Sequence, residues 1–122
     1  MGAWDVQPWD NDTAADWFAA FFSGIDFDVR LDTAFQHDDN YDEIRAAAYL
    51  LQTLGRIYVW PGDVKRLGAH LDRAIHHLQL MLDPSCEACI ELQEMWGSDT
   101  AVFDSIRTQV GELKQRRMEG NW

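Results

Sequence analysis

Between positions 70 and 89 the chain carries five residues of the types that bind zinc: His70, His76, His77, Cys86 and Cys89. A zinc shell takes imidazole nitrogens and thiolates from positions that converge on one point. The spacing weighs against convergence. On one helix, His70 and His77 share a face but stand roughly 10 Å apart along the axis, whereas helical histidines that chelate one ion are usually one turn apart. His76 is rotated about 100° from His77. One histidine with both thiolates is the zinc arrangement this spacing leaves open. The expectation is solvated or flanking histidines, with no metal and no other cofactor.

Cys86-x-x-Cys89 at a helix start is a geometry that lowers a thiol pKa in redox enzymes, but there the pair follows a strand of a βαβ unit, and no such strand is legible here. Two small, buried apolar residues are expected instead. The paired carboxylates Asp38-Asp39 and Asp42-Glu43 have the right type for hydrolytic acid/base work. That work needs environments that drive the two pKa values apart, and acids clustered in polar stretches are usually solvated. Calcium-loop spacing, a Gly-rich phosphate loop, a nucleophile elbow and basic-aromatic interleaving are all absent from the sequence. A non-enzymatic protein is expected. A metal- or carboxylate-dependent hydrolase and an acidic mimic of nucleic acid are the competing classes.

Charge is the strongest functional signal. The formal net charge is −11, and residues 1–43 hold 11 acidic residues against one basic, Arg30, for a net of −10. The remaining residues hold 10 acidic against 9 basic, for a net of −1. Such a surface repels nucleic acid and anionic membranes and steers basic partners toward itself.

These residues must be positioned by helices. With 122 residues and a hydrophobic share of 47%, the chain has the length and apolar bulk of one packed domain, 1–122, in which residues 1–11 form an irregular lead-in. Trp4 and Trp9 are expected to fold back over the core. From Thr13, the residues Ala14, Trp17, Phe18, Phe21 and Phe22 recur at helical steps until Ser23-Gly24. Asp26 can cap a second helix with Phe27, Leu31, Ala34 and Phe35 inward and Asp28 and Asp32 outward. Asn40 and Glu43 resemble a capping box ahead of Ile44, Ala47, Ala48, Leu51 and Leu54, a stripe expected on the central, most buried helix.

Arg56 to Trp60 is expected as a short turn. Asp63 caps the clearest helix, with Val64, Leu67, Leu71, Ile75, Leu78 and Leu82 on one side, and Asp83-Pro84 stops it. Pro84 is expected in the first turn of a fifth helix running to Trp96-Gly97. Ser98 or Asp99 opens a sixth, with Val102, Phe103, Ile106, Val110 and Leu113 aligned and Lys114, Arg116 and Arg117 placed to complement its dipole. No segment alternates with period two. The predicted fold class is all-α, an irregular bundle of five to six short helices.

The opening Met1-Gly2-Ala3-Trp4, followed by Pro8-Trp9-Asp10-Asn11-Asp12-Thr13-Ala14-Ala15-Asp16-Trp17, resembles a family of short bacterial proteins known only as a domain of unknown function. The later helical pattern, with its Leu92 to Trp96 segment and long last helix, is similar over most of the chain. Family members usually carry Gly-x-Gly where this chain has Asp5-Val6-Gln7. The resemblance implies a bacterial helical domain with no established activity. Small acidic domains of this kind sometimes act as immunity partners of secreted toxins.

No run reaches the roughly 18 apolar residues of a membrane span, no secretory leader is legible, and Val6 stands where a myristoylation signal wants Ser or Thr. Two cysteines are too few for a disulfide framework, so a cytoplasmic location is expected. The expected function is an immunity-type inhibitor that docks an acidic N-terminal face on a basic partner protein. Its expected binding residues are Asp28, Asp32, Asp38, Asp39, Asp42 and Glu43, with Asp5, Asp10 and Asp12 at the edge.

Overall fold

A computed structural model describes residues 12–97 and 99–120. Its secondary structure is six helices: α1 (Asp12–Phe21), α2 (Phe27–Ala34), α3 (Tyr41–Leu54), α4 (Val64–Leu82), α5 (Glu87–Trp96) and α6 (Ala101–Glu119). There is no strand among the described residues. The all-α bundle is therefore as expected, and Arg56 to Val59 form the expected turn, with Val59 and Trp60 buried behind it.

Most boundaries follow from local chemistry. The Asp26 carboxylate accepts from Val29 N at 3.1 Å and the Asp63 carboxylate from Lys65 N at 3.0 Å, each satisfying an amide that the first helical turn leaves open. Asp99 does the same for Ala101 N at 2.9 Å. Gly97 ends α5 at φ 61°, where a side chain would clash with its own backbone. Two expected starts differ. Asn40 precedes α3 without a side-chain cap bond, so no capping box forms. Pro84 lies in a turn ahead of α5 rather than inside its first turn, because the Asp83 carboxylate turns onto Ser85 N at 3.0 Å and delays the helix to Glu87.

The central helix is α4, not α3. Its Leu67, Leu71, Ala74, Leu78 and Met81 recur at three- and four-residue steps and are buried, and α4 packs against α2, α3, α5 and α6. Ile44, Ala48 and Leu51 of α3 and Val102, Ile106, Val110 and Leu113 of α6 complete the core. Between α3 and α6 the contact is polar as well. The buried Gln109 side chain donates to Gln52 Oε1 (2.7 Å) and Arg45 O (3.1 Å) and accepts from Arg45 Nε (2.8 Å). Every polar atom of that amide is thereby used, as burial requires.

The stripe read in the first helix forms, but of its residues only Phe22, just beyond α1, packs against the core. No residue of α1 is buried, and Trp17 and Phe21 are 58% and 65% exposed. They stack on each other at 5.0 Å, and ring contacts then run from Phe21 to Phe22 and from Phe22 to Phe27. Trp4 and Trp9, Asp5 and Asp10, and Ser98 lie outside the described residues.

Candidate protein-binding surface

The turn from His37 to Asn40 carries Asp38 and Asp39, both exposed, to the start of α3. There they meet the first turns of α5. Asp38, Asp39, Glu87 and Glu91 line one cleft of about 330 Å³, together with Tyr41, Leu80, Cys86 and Ala88. The floor is apolar and the walls are acidic. The buried Tyr41 hydroxyl donates to the Glu91 carboxylate. Burial, and then that bond to a carboxylate, push the Tyr41 phenol well above its ordinary value, so it stays a neutral donor. Asp42 and Glu43 follow in the first turn of α3, exposed to solvent.

The cleft can do one thing chemically with little cost: hold a cation. Asp38, Asp39 and Glu87 are exposed, and a guanidinium or ammonium placed among these carboxylates would gain charge-assisted bonds. Cys86, also in the lining, is held toward its thiol form. Burial and donation to Asp83 Oδ2 at 3.4 Å raise its pKa. Cys89 is buried as expected, but Cys86 is only half-buried because it stands at the N-cap of α5.

Asp28 and Asp32, expected to face outward, instead clamp α2 onto α4. Asp28 Oδ1 lies 2.7 Å from His70 Nε2, and Asp28 Oδ2 accepts from Asp63 N at 3.0 Å. Asp32 accepts from Arg66 at 2.7 Å and Arg73 at 2.9 Å, and the Arg66 bond holds its carboxyl below the usual range. The helical period of α2 gives two faces, but the approach of α4 turns the nominally outer one into an interface. Asp12 opens α1 and is exposed.

Two of the three histidines differ from the expectation of solvated or flanking side chains, while His76 is exposed as expected. His70 and His77 are buried on the inward side of α4, at 1% and 7% exposure, because each finds an acceptor there. For His70 the acceptor is Asp28, and for His77 it is Phe35 O at 3.1 Å. His77 stacks on the Phe35 ring at 5.6 Å, and its Nδ1 lies 3.3 Å from Asp38 Oδ1 in a geometry short of a hydrogen bond. Burial pushes its imidazole pKa down, against the pull of Asp38. Among the described residues, no three His, Cys, Asp or Glu side chains converge as a metal shell.

The sequence missed Glu87 and Glu91. Their i, i+4 spacing puts them on one face of α5, yet only the tertiary structure sets that face opposite Asp38 and Asp39. Arginines from later in the chain are committed to pairs between elements: Arg56 with Glu119, Arg66 and Arg73 with Asp32, and Arg117 with Asp72. Such pairs add little stability, but they cancel cationic charge locally. No helix of the described chain is long and apolar enough to cross a membrane. No protein-family model matches the chain, and no curated protein or solved structure matches it.

Proposed function

We propose that this chain is a non-enzymatic binding protein of the immunity type, which neutralises a toxin by docking an acidic face on a basic partner domain. The observation that carries this proposal is the convergence of Asp38, Asp39, Glu87 and Glu91 on one cleft with an apolar floor. Asp42 and Glu43 extend the same field along α3. A concentrated field raises the encounter rate with a basic surface, whereas evenly spread charge serves solubility equally well. Asp28 and Asp32 support the face from behind, by holding α2 on α4, rather than by meeting the partner.

The test uses the gene beside the one for this chain. If that neighbour encodes a large polypeptide with a basic C-terminal domain, expressing the domain alone should arrest growth, and co-expressing this chain should restore it. Association of the purified pair should slow as salt rises. Replacing Asp38 and Asp39 by Asn together with Glu87 and Glu91 by Gln should slow association about tenfold or more and abolish protection. Protection by the neutralised variant at an unchanged association rate would refute the role of the cleft. A neighbour that does not arrest growth, or one this chain does not restrain, would refute the immunity assignment.

A further inference from the structure

One buried side chain reaches a wall of the acidic cleft with a nitrogen left unsatisfied. His77 is buried where α4 passes the C-terminal end of α2, and its Nε2 lies 3.1 Å from the carbonyl oxygen of Phe35. A carbonyl oxygen can only accept, so Nε2 carries a proton. Arg73 donates to the same oxygen at 3.2 Å, and the Phe35 ring stacks on the imidazole, which fixes the orientation of the ring. The other nitrogen, Nδ1, is buried and has no hydrogen-bond partner. In the neutral ring it presents a lone pair, and what it faces is Asp38 Oδ1 at 3.3 Å, another acceptor.

Two acceptors at that separation repel, and the space between them admits neither a water nor a metal ion. A proton fits. Placed on Nδ1, it turns the repulsive contact into a charge-assisted hydrogen bond once the exposed Asp38 side chain rotates slightly into line. The charged groups around the ring come from several elements. Asp38 belongs to the α2–α3 turn, Arg73 and His76 to α4, and Asp32 of α2 holds Arg73 at 2.9 Å. Asp39, Glu87 and Glu91 share the cleft with Asp38, and Glu91 is tied to the Tyr41 hydroxyl of α3. Burial outweighs the pull of Asp38 and of the Phe35 carbonyl, with His76 and Arg73 adding to it, so the ring is neutral at neutral pH and gains its second proton only in acid. Asp38 is then left to the cleft at neutral pH and claimed by His77 in acid.

We infer that His77 is a proton-operated gate on the acidic cleft: protonated at Nδ1, it binds Asp38 and withdraws that carboxylate from a cationic partner. This inference rests on the acidic-face proposal and adds its regulation by pH. Binding is strongest near neutrality and weakens in acid. Linkage makes the effect reciprocal, since a cation seated on Asp38 must make His77 harder to protonate by the same factor. A His77 pKa lowered by about half a pH unit at saturation corresponds to about threefold in affinity.

The test follows the imidazole signals of the full chain by nuclear magnetic resonance, with a short lysine homopolymer as the probe, because lysine keeps its charge from about pH 5 to about pH 8. In the free protein, Asp38→Asn should lower the His77 pKa, since the carboxylate that attracts the proton is gone. Saturating probe should lower it by about half a pH unit or more in the parent and leave it unmoved in Asp38→Asn. In fluorescence anisotropy at constant ionic strength, probe affinity should fall about threefold or more between about pH 7.5 and about pH 5. His77→Gln should abolish most of that fall, and His76→Gln, at the exposed neighbour, should keep it. Should His77→Gln lose its native circular dichroism spectrum, the titrations of the parent and Asp38→Asn decide alone. A His77 pKa indifferent to Asp38→Asn and to the probe, with binding still weakened by neutralising Asp39, Glu87 and Glu91, would overturn the gate and leave the cleft standing. A probe that fails to bind at low salt, or that binds the parent and the neutralised chain alike, would overturn the cleft and the gate with it.

Discussion

Asp28→Ala separates a structural role from a partner-binding one. The side chain ties two groups on the far side of an interhelix contact: the His70 ring at 2.7 Å and the Asp63 amide at 3.0 Å. His70 is 1% exposed, and its Nδ1 already lacks a partner, so removing the carboxylate leaves a buried imidazole with no hydrogen bond at either nitrogen. A hydrogen bond to a charged group contributes about 1.5–3 kcal/mol net, and an ordinary amide bond about 0.5–1.5 kcal/mol. Their loss together should cost about 2–4 kcal/mol. That is a large share of the roughly 5–15 kcal/mol by which a small domain is stable.

The assay is urea denaturation followed by circular dichroism, with an unchanged m-value showing that the same surface unfolds. The partner variant His70→Phe and the double variant complete a cycle. Because Asp28 and His70 touch, their effects should be non-additive by about 1 kcal/mol or more, since removing both members strands less than removing one. A midpoint shift within about 0.5 kcal/mol for Asp28→Ala, of the size seen for ordinary surface changes, would refute the clamp. So would strict additivity in the cycle.

Three further outcomes are expected. Gly62→Ala should destabilise by about 1–3 kcal/mol, because an added Cβ would sit 2.8 Å from Trp60 Nε1 and 3.2 Å from Asp28 Oδ1; a neutral result in thermal unfolding would mean that this corner yields. Leu71→Ala should cost about 2–5 kcal/mol in the same urea assay, since the side chain is fully buried on α4, the helix that packs against α2, α3, α5 and α6. The third concerns acid. His77 has a folded-state pKa below its ordinary 6.5, so the unfolded chain takes up a proton first and stability falls as pH drops through 6.5 toward the folded value. A plot of stability against pH should show that decline, and His77→Gln should flatten it; an unchanged slope would assign the acid sensitivity elsewhere.

Much of the fold was legible because helices are local. The three- and four-residue recurrence of Leu67, Leu71 and Leu78, the caps at Asp26 and Asp63, and the stop at Asp83 are all written within a few residues of where they act. The net charge and its concentration before position 44 are likewise properties of the sequence alone. What the local pattern cannot state is which face meets which. The outward side of α2 became an interface because α4 brought His70, Arg66 and Arg73 to Asp28 and Asp32. The apolar side of α1, as regular as any other, stayed exposed at Trp17 and Phe21 because a period defines a stripe without supplying its partner. The acidic cleft needed the chain to set α5 against the α2–α3 turn, bringing together residues nearly fifty positions apart, of which only Asp38 and Asp39 were readable in advance. Sequence set the composition and the sidedness of each helix; long-range packing, through burial of α4 by its neighbours, decided which charges became structure and which stayed at the surface.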